Sequence, residues 1–258
     1  MSIDSSSQID PGAEIAEDVT IGPWCIIGPD VTIDAGTVID SHVVIRSNTR
    51  IGKNNRFFQF SSIGEDPADK KFEGEDTWLE VGDNNIFREG VTLHRGTGVG
   101  GGRTVIGSDN LMMPYVHVAH DCIVGNHLVM SSHSALGGHV VVEDFVNVGW
   151  GVGVHQFCRL GSQCMVSACS KLVQDVPPYM LADGSPAEVR SINKIGLERN
   201  GFSKEQIEIA KSVFRILYRG EYNRKQAIEY LENGFDYNGE KITKEILDFT
   251  KKSDRGLA

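Results

Sequence analysis

His120 is followed directly by Asp121, and His117 stands three residues before it. An imidazole beside a carboxylate can act as a general base. The carboxylate fixes the tautomer and supports the imidazolium that forms when the ring takes a proton. The chemistry that suits such a base is attack of a hydroxyl or amine on a thioester. The carbonyl oxygen then needs a donor, and a glycine N–H serves well because no side chain blocks its approach. Gly138, next to His139, is placed for that duty. No serine or cysteine has the G-x-S-x-G setting of a nucleophile elbow. Direct transfer without a covalent acyl-enzyme is therefore expected.

Other histidines cluster in the same stretch. His139 lies 19 residues after His120, His155 follows 16 later, and His94 precedes them. His133 falls in the same region. A lone surface histidine is usually just solvated, but several at a regular spacing are different, because a repeating fold can stack them on one side. Zinc is the rival use of such residues. The gamma-class carbonic anhydrases hold a metal between subunits with paired histidines five apart, whereas His117 and His120 are three apart. No metal and no cofactor are expected.

The elements that must position these residues show in the apolar rhythm. Ile9, Ile15, Ile21, Ile27, Ile33, Ile39, Ile45, Ile51 and Phe57 occupy consecutive sixth positions, and Met112 to Leu172 continue the pattern. A period of six matches neither a helix nor a plain strand, and a fixed repeat must be tested for before anything else. Each hexad reads as a short strand followed by a tight turn. Stacked hexads bury what one alone cannot. The expected shape is a parallel β-helix of triangular section with 18 residues per coil, which brings His120 and His139 onto neighbouring coils.

Two interruptions, near 64–80 and 96–104, are polar or glycine-rich and read as loops ejected from the prism. After Pro177-Pro178 the repeat stops, and from Pro186 a helical period is expected. Ser203 with Gln206 reads as a capping box, Asn223 as a second N-cap, and Tyr237-Asn238-Gly239 as a turn before a last helix. The expected organisation is a β-prism over 1–185 and a helical domain over 186–258, capping the open end of the sheet.

Composition excludes several classes. The chain has 258 residues and a net charge of −10, so bulk attraction to nucleic acid is not expected. No apolar run approaches the ~20 residues of a membrane span, and the start lacks a signal-peptide pattern. Five cysteines without a CxxC pair fit a reduced, cytoplasmic protein.

Hexads, Asp69-Lys70-Lys71, Leu93-His94-Arg95-Gly96-Thr97, His117-Val-Ala-His120-Asp121-Cys122, Gly138-His139-Val140, Val154-His155-Gln156-Phe157-Cys158 and Gly201-Phe202-Ser203 occur in order. Together they resemble the acyl-ACP:UDP-N-acetylglucosamine O-acyltransferase family, which performs the first step of lipid A synthesis. The resemblance implies a left-handed parallel β-helix, an exception to the right-handed crossover rule, assembled as a homotrimer. It implies His120 as general base, Asp121 as its orienter and Gly138 N–H as oxyanion donor. It implies that Asp69, Lys71, His94, His117, His139, His155 and Gln156 hold the nucleotide sugar and acyl chain, with Asn193 and Arg199 at the uridine and phosphates. The basic tail suits docking of the acidic acyl carrier protein. At two tail positions where many members carry a glutamate and a second arginine, this chain has Ile195 and Asn200. Ala168 stands where a glycine often lines the acyl groove, with Lys171 close by, which implies a chain shorter than fourteen carbons. The acceptor is UDP-GlcNAc or its 3-amino analogue. The sister lipid A N-acyltransferase carries an added N-terminal domain for which repeats beginning by Ile9 leave no room. A non-catalytic binding β-helix is the remaining alternative.

Overall fold

The computed structural model describes residues 2–237 and 239–258; Asn238, in the turn read at Tyr237-Asn238-Gly239, lies outside the described residues. The hexads wind into a left-handed parallel β-helix. Among the described residues its three faces are sheets of 11, 9 and 8 strands. Most strands are two residues long, because every sixth side chain must turn inward and the chain must then bend at a corner. Paired residues stand one coil apart, as Thr20 on Val38 and His117 on Ala135. The repeat begins one hexad earlier than read, since Ser2–Ile3 already pairs with Thr20–Ile21. Ile3, Ile9 and Ile15 are only partly buried, but from Ile21 onward the interior residues are sealed. Phe57 and Phe87 stack inside the prism at 4.7 Å. Burial of each such side chain is worth about 1.5–3 kcal/mol.

The corners use left-handed backbone. His42, His127, His133 and His139 all have φ between 57° and 62°, alongside Trp24, Tyr115, Phe145 and Phe157. Asn, Asp and His tolerate this region better than most residues. The aromatic residues there stack on the next coil, as His127 on Phe145 and His139 on Phe157, both at 4.4 Å. His133, grouped by sequence with the site histidines, is such a corner residue and packs on Tyr115 at 5.1 Å.

Inside the corner between the third and first faces runs a polar ladder. Asn55, Asn85 and Asn110 are buried on successive coils. Asn85 donates from its amide to Asn55 Oδ1 (3.0 Å) and to the Gly107 carbonyl (2.9 Å), and its Oδ1 accepts from Asn110 N–H (2.9 Å).

Both interruptions leave from the corner between the second and third faces. The first loop joins strands Ser62–Glu65 and Trp78–Val81, so it is shorter than the sequence suggests. The second joins Thr92–His94 and Arg103–Ile106 and holds a 3-10 turn at Gly98–Gly100. Farther down, the same corner carries Asp121, His139 and Phe157.

The helical period expected from Pro186 does not begin there. Met180–Gly184 and Ala187–Ile192 form an antiparallel hairpin that ends the first sheet. Ala187, Val189 and Ile192 are buried while Glu188 and Arg190 are exposed, a strand period that residues 186–192 share with no hexad. Among the described residues four helices follow: α1 (Lys194–Arg199), α2 (Lys204–Tyr218), α3 (Arg224–Asn233) and α4 (Lys241–Lys251). Ser203 and Asn223 each complete a capping box. The chain end returns to the prism, where Ala258 N–H donates to the Asp175 carbonyl at 2.9 Å. No helix among the described residues is long and apolar enough to cross a membrane.

Candidate active site

Two residues past an inward-facing position, the chain rounds a corner and its side chain points out. His120, Gly138 and Gln156 hold that place on three successive coils, and glycine leaves a notch between its larger neighbours. The His120 ring fills the notch. A Cβ on Gly138 would meet the ring atoms at 2.6–3.2 Å, so any other residue would push the imidazole away. No acceptor among the described residues takes the Gly138 N–H.

His120 Nδ1 lies 2.7 Å from Asp121 Oδ2. An ionised carboxylate only accepts, so Nδ1 carries the proton and Nε2 is left as an acceptor. The Asp121 side chain is fully buried, and that of His120 keeps 13 % exposure. Asp121 is not a bare charge. Its Oδ1 accepts from Thr97 N–H and its Oδ2 from the Thr97 hydroxyl, both at 2.7 Å. The Asp121 N–H donates to Thr104 Oγ1 at 2.8 Å. His139 Nε2 stands 3.7 Å from Oδ2, with its ring edge-on to His120 at 5.2 Å. The coil spacing read from the sequence thus brings His120 and His139 together.

An open cleft of about 860 Å³ lies in front of this group, lined by Asp69, Lys71, Gly100, His120, His139 and Gln156 among others. Asp69 and Lys71 come from the first loop. That loop is tied to the corner by Arg95, whose guanidinium pairs with Asp66 and whose N–H donates to the Glu65 carbonyl. His94, one coil above, packs edge-to-face at 4.9 Å on His117, which shares the His120 coil, and His117 Nδ1 is 2.7 Å from the Thr92 hydroxyl. Burial pulls the His117 imidazole down to about 4, helped by His94 and His120 nearby. Burial also lowers His94. Both rings are neutral at neutral pH and serve as hydrogen-bonding and packing groups. His155 is exposed, with Nδ1 3.1 Å from the Gln156 carbonyl.

Asn193 and Arg199 are elsewhere. They line a second cleft of about 670 Å³ at the corner between the third and first faces, together with His127, Phe145, Ile195 and Asn200. Asn193 is also the N-cap of α1, accepting from Gly196 N–H at 3.2 Å and donating to the Gln163 carbonyl at 2.8 Å. No described residue lines both this cleft and that of His120. Ala168 and Lys171 are exposed. On the outside of the second face, His117, Ala135, Gly153 and Lys171 stand in one register column, so two small residues form a lane that ends at Lys171.

His120, Asp121 and His139 offer ligand atoms within 4.8 Å of one another, a spacing able to hold a metal ion. The Asp121 oxygens, however, are already engaged by Thr97 and His120. Thr97, Gly100 and Thr104 also join the site, and spacing in the sequence does not single them out. The signal the sequence offers for them is the glycine-rich run that follows His94.

Cysteine chemistry is not on offer here. Cys122, behind Asp121, is buried and its thiol is pushed up to about 12.

A family model described as Udp N-acetylglucosamine O-acyltransferase, domain 2, matches residues 175–258. The bacterial transferase hexapeptide model matches residues 1–35. The chain is 49 % identical to an acyl-[acyl-carrier-protein]–UDP-N-acetylglucosamine O-acyltransferase of Pseudomonas entomophila, over 90 % of both chains. It is 50 % identical to the protein of the same name in Ectopseudomonas mendocina, over 89 % of each. Among solved structures, LpxA from Acinetobacter baumannii superposes with a TM-score of 0.96 at 44 % identity, covering 99 % of both chains. The UDP-N-acetylglucosamine O-acyltransferase of Moraxella catarrhalis gives 0.95 at 41 % identity, covering 100 % of this chain and 99 % of that one.

Proposed function

The chain belongs to the acyl-ACP–UDP-N-acetylglucosamine O-acyltransferase family, and on that premise we propose that His120 is the base of the transfer, oriented by Asp121 and opposed by the Gly138 N–H. As a member, it moves an acyl chain from acyl carrier protein to UDP-N-acetylglucosamine, the first step of lipid A biosynthesis. The observation that carries the assignment is the 2.7 Å contact between His120 Nδ1 and Asp121, which leaves Nε2 free to take a proton on the cleft side.

The steps follow from that geometry. Nε2 of His120 removes the proton from the sugar 3-hydroxyl, or from a 3-amino group in the analogue, as the heteroatom attacks the 3-hydroxyacyl thioester carbonyl. The oxyanion is met by the Gly138 N–H. The tetrahedral intermediate collapses, the C–S bond breaks, and the His120 imidazolium returns its proton to the leaving thiolate. Asp121 stabilises the imidazolium between the two transfers without itself being protonated. Asp69, Lys71, His94, His117, His139, His155 and Gln156 surround the sugar and acyl portions. The lane past Ala135 and Gly153 suits the acyl chain, and Lys171, with Ala168 on the adjoining corner, limits its length.

The working unit in this proposal is a homotrimer. The His120 cleft and the Asn193/Arg199 cleft lie at opposite edges of the third face. The outer column of that face is Val105, Ile123 and Val141, with Ile123 53 % exposed. One nucleotide sugar reaches both clefts if the edge of one copy meets the other edge of the next. Such a head-to-tail contact closes as a three-membered ring when each copy is rotated by about 120° from the last.

The test is acyl transfer by the parent and His120→Ala, with 3-hydroxyacyl-ACPs of several lengths and both acceptors. A loss of about 10²–10⁴-fold in kcat with an unchanged fold is expected, with preference for chains under fourteen carbons. Unchanged turnover, or activity that depends on stoichiometric zinc, overturns the base assignment.

A further inference from the structure

We propose that Thr97 is a positioning residue for the transfer, and that the glycine-rich loop around it is built to clamp the Asp121 carboxylate. This deepens the reading of His120 as base and rests on it. Thr97 spends two donors on one carboxylate: its N–H on Oδ1 and its hydroxyl on Oδ2, both at 2.7 Å. Oδ2 is the oxygen that also faces His120 Nδ1. Thr97 is 2 % exposed and Asp121 5 %, so no water competes for these bonds.

The rest of the loop is shaped around the same contact. Gly100 N–H is shared at 3.1 Å between the Thr97 hydroxyl and the Thr97 carbonyl, the second bond closing the 3-10 turn, and the same carbonyl accepts from Gly102 N–H at 2.9 Å. A Cβ on Gly100 would run into the Asp121 carboxylate, and a Cβ on Gly96 into the Arg103 backbone. Glycine is required at both places for the loop to lie against the acid. The same turn carries Val99, 83 % exposed, to the rim of the His120 cleft. One short segment thus both fixes the orienting carboxylate and borders the substrate space.

The consequence is specific. With both oxygens held, the carboxylate cannot rotate, and the acceptor direction toward His120 Nδ1 is set. The Thr97 hydroxyl also draws charge from Oδ2. Without it, Oδ2 becomes a stronger acceptor, the His120 imidazolium is favoured, and a higher pH is needed to free the base. The neighbouring groups that bear on this are His139, 3.7 Å from Oδ2, the neutral His94 and His117, and Asp69, Lys70 and Lys71 across the cleft. None is altered by a change at Thr97.

The experiment compares the parent, Thr97→Val, Thr97→Ala, Thr97→Ser and His120→Ala in acyl transfer from acyl-ACP to UDP-GlcNAc, with melting temperatures alongside. Thr97→Val is expected to lower kcat about 10- to 100-fold. Its KM should stay close to the parent value, and the acidic limb of kcat/KM should move to higher pH. Thr97→Ser, which keeps the hydroxyl, should recover most of the rate and the parent pH limb. Thr97→Ala should follow Thr97→Val, and it replaces that variant if valine prevents folding. Parent-like kcat in the hydroxyl-free variants, with His120→Ala inactive, overturns the proposal and leaves the base reading standing. Serine as poor as valine also overturns it, by pointing to the methyl group. An active His120→Ala removes the base reading and this proposal with it.

Discussion

Two corners of one prism share a backbone and do opposite things. At the corner between the third and first faces, Asn55, Asn85 and Asn110 turn inward and spend their amides on one another and on nearby carbonyls. At the corner between the second and third faces, Asp121 is equally buried, but its partner His120 turns outward to a cleft and two loops leave the coil beside it. The difference teaches where a repeat fold can hold chemistry. A polar ladder whose groups all answer one another adds cohesion. A polar chain that ends on an unanswered nitrogen at the surface can act on something else.

The contrast can be broken by exchanging the failures of the two corners. Asn85→Ala strips partners from the buried Asn110 N–H and Gly107 carbonyl. The expected cost is about 3 kcal/mol of stability, read as a lower urea midpoint, with kcat per folded molecule unchanged. A fall in kcat as large as the fall in stability would mean that the corners are not separable.

A smaller effect sharpens the same comparison through pH. His117 is held near 4 when folded, below its ordinary value of 6.5, because burial disfavours its charge. The unfolded chain therefore binds the proton first as pH falls. Stability should be complete above about pH 6.5 and should decline between there and about pH 4, by about 2 kcal/mol for this partly exposed ring. His117→Gln should flatten that part of the profile. An unchanged slope would show that the decline belongs to other groups.

The smallest effect concerns the ring stack that steadies the His120 corner from below. His139 lies on Phe157 at 4.4 Å, with planes 6° apart. Phe157→Leu should lower stability by about 1 kcal/mol and leave the asparagine corner untouched, as hydrogen exchange at Asn110 N–H would report.

Much of this was legible in the residues. The inward positions follow a strict period of six because one face of each hexad must be sealed, and the pairing of His120 with His139 follows from coil length. The loops stand out because polar and glycine-rich runs cannot fill an inward position. Even their shared corner can be counted, since Ile63 and Leu93 occupy the same interior place on the second face. Other features carry no periodic mark. The hairpin of Met180–Gly184 and Ala187–Ile192 is an antiparallel return whose partner strand is set by tertiary packing. His133 and His139 look alike in sequence, yet both are left-handed corner residues, and only the second has the acid beside it. The role of Thr97 depends on a loop folding back by a distance that no spacing rule encodes.

The hairpin and helices plug one end of the column, while Ile3, Ile9 and Ile15 leave the other only partly sealed. Under load or heat, peeling should therefore start at the amino-terminal rung and travel one turn at a time. Nearly the whole upper half would have to unwind before the corner that holds His120 and Asp121 felt it, so that half acts as ballast against fraying.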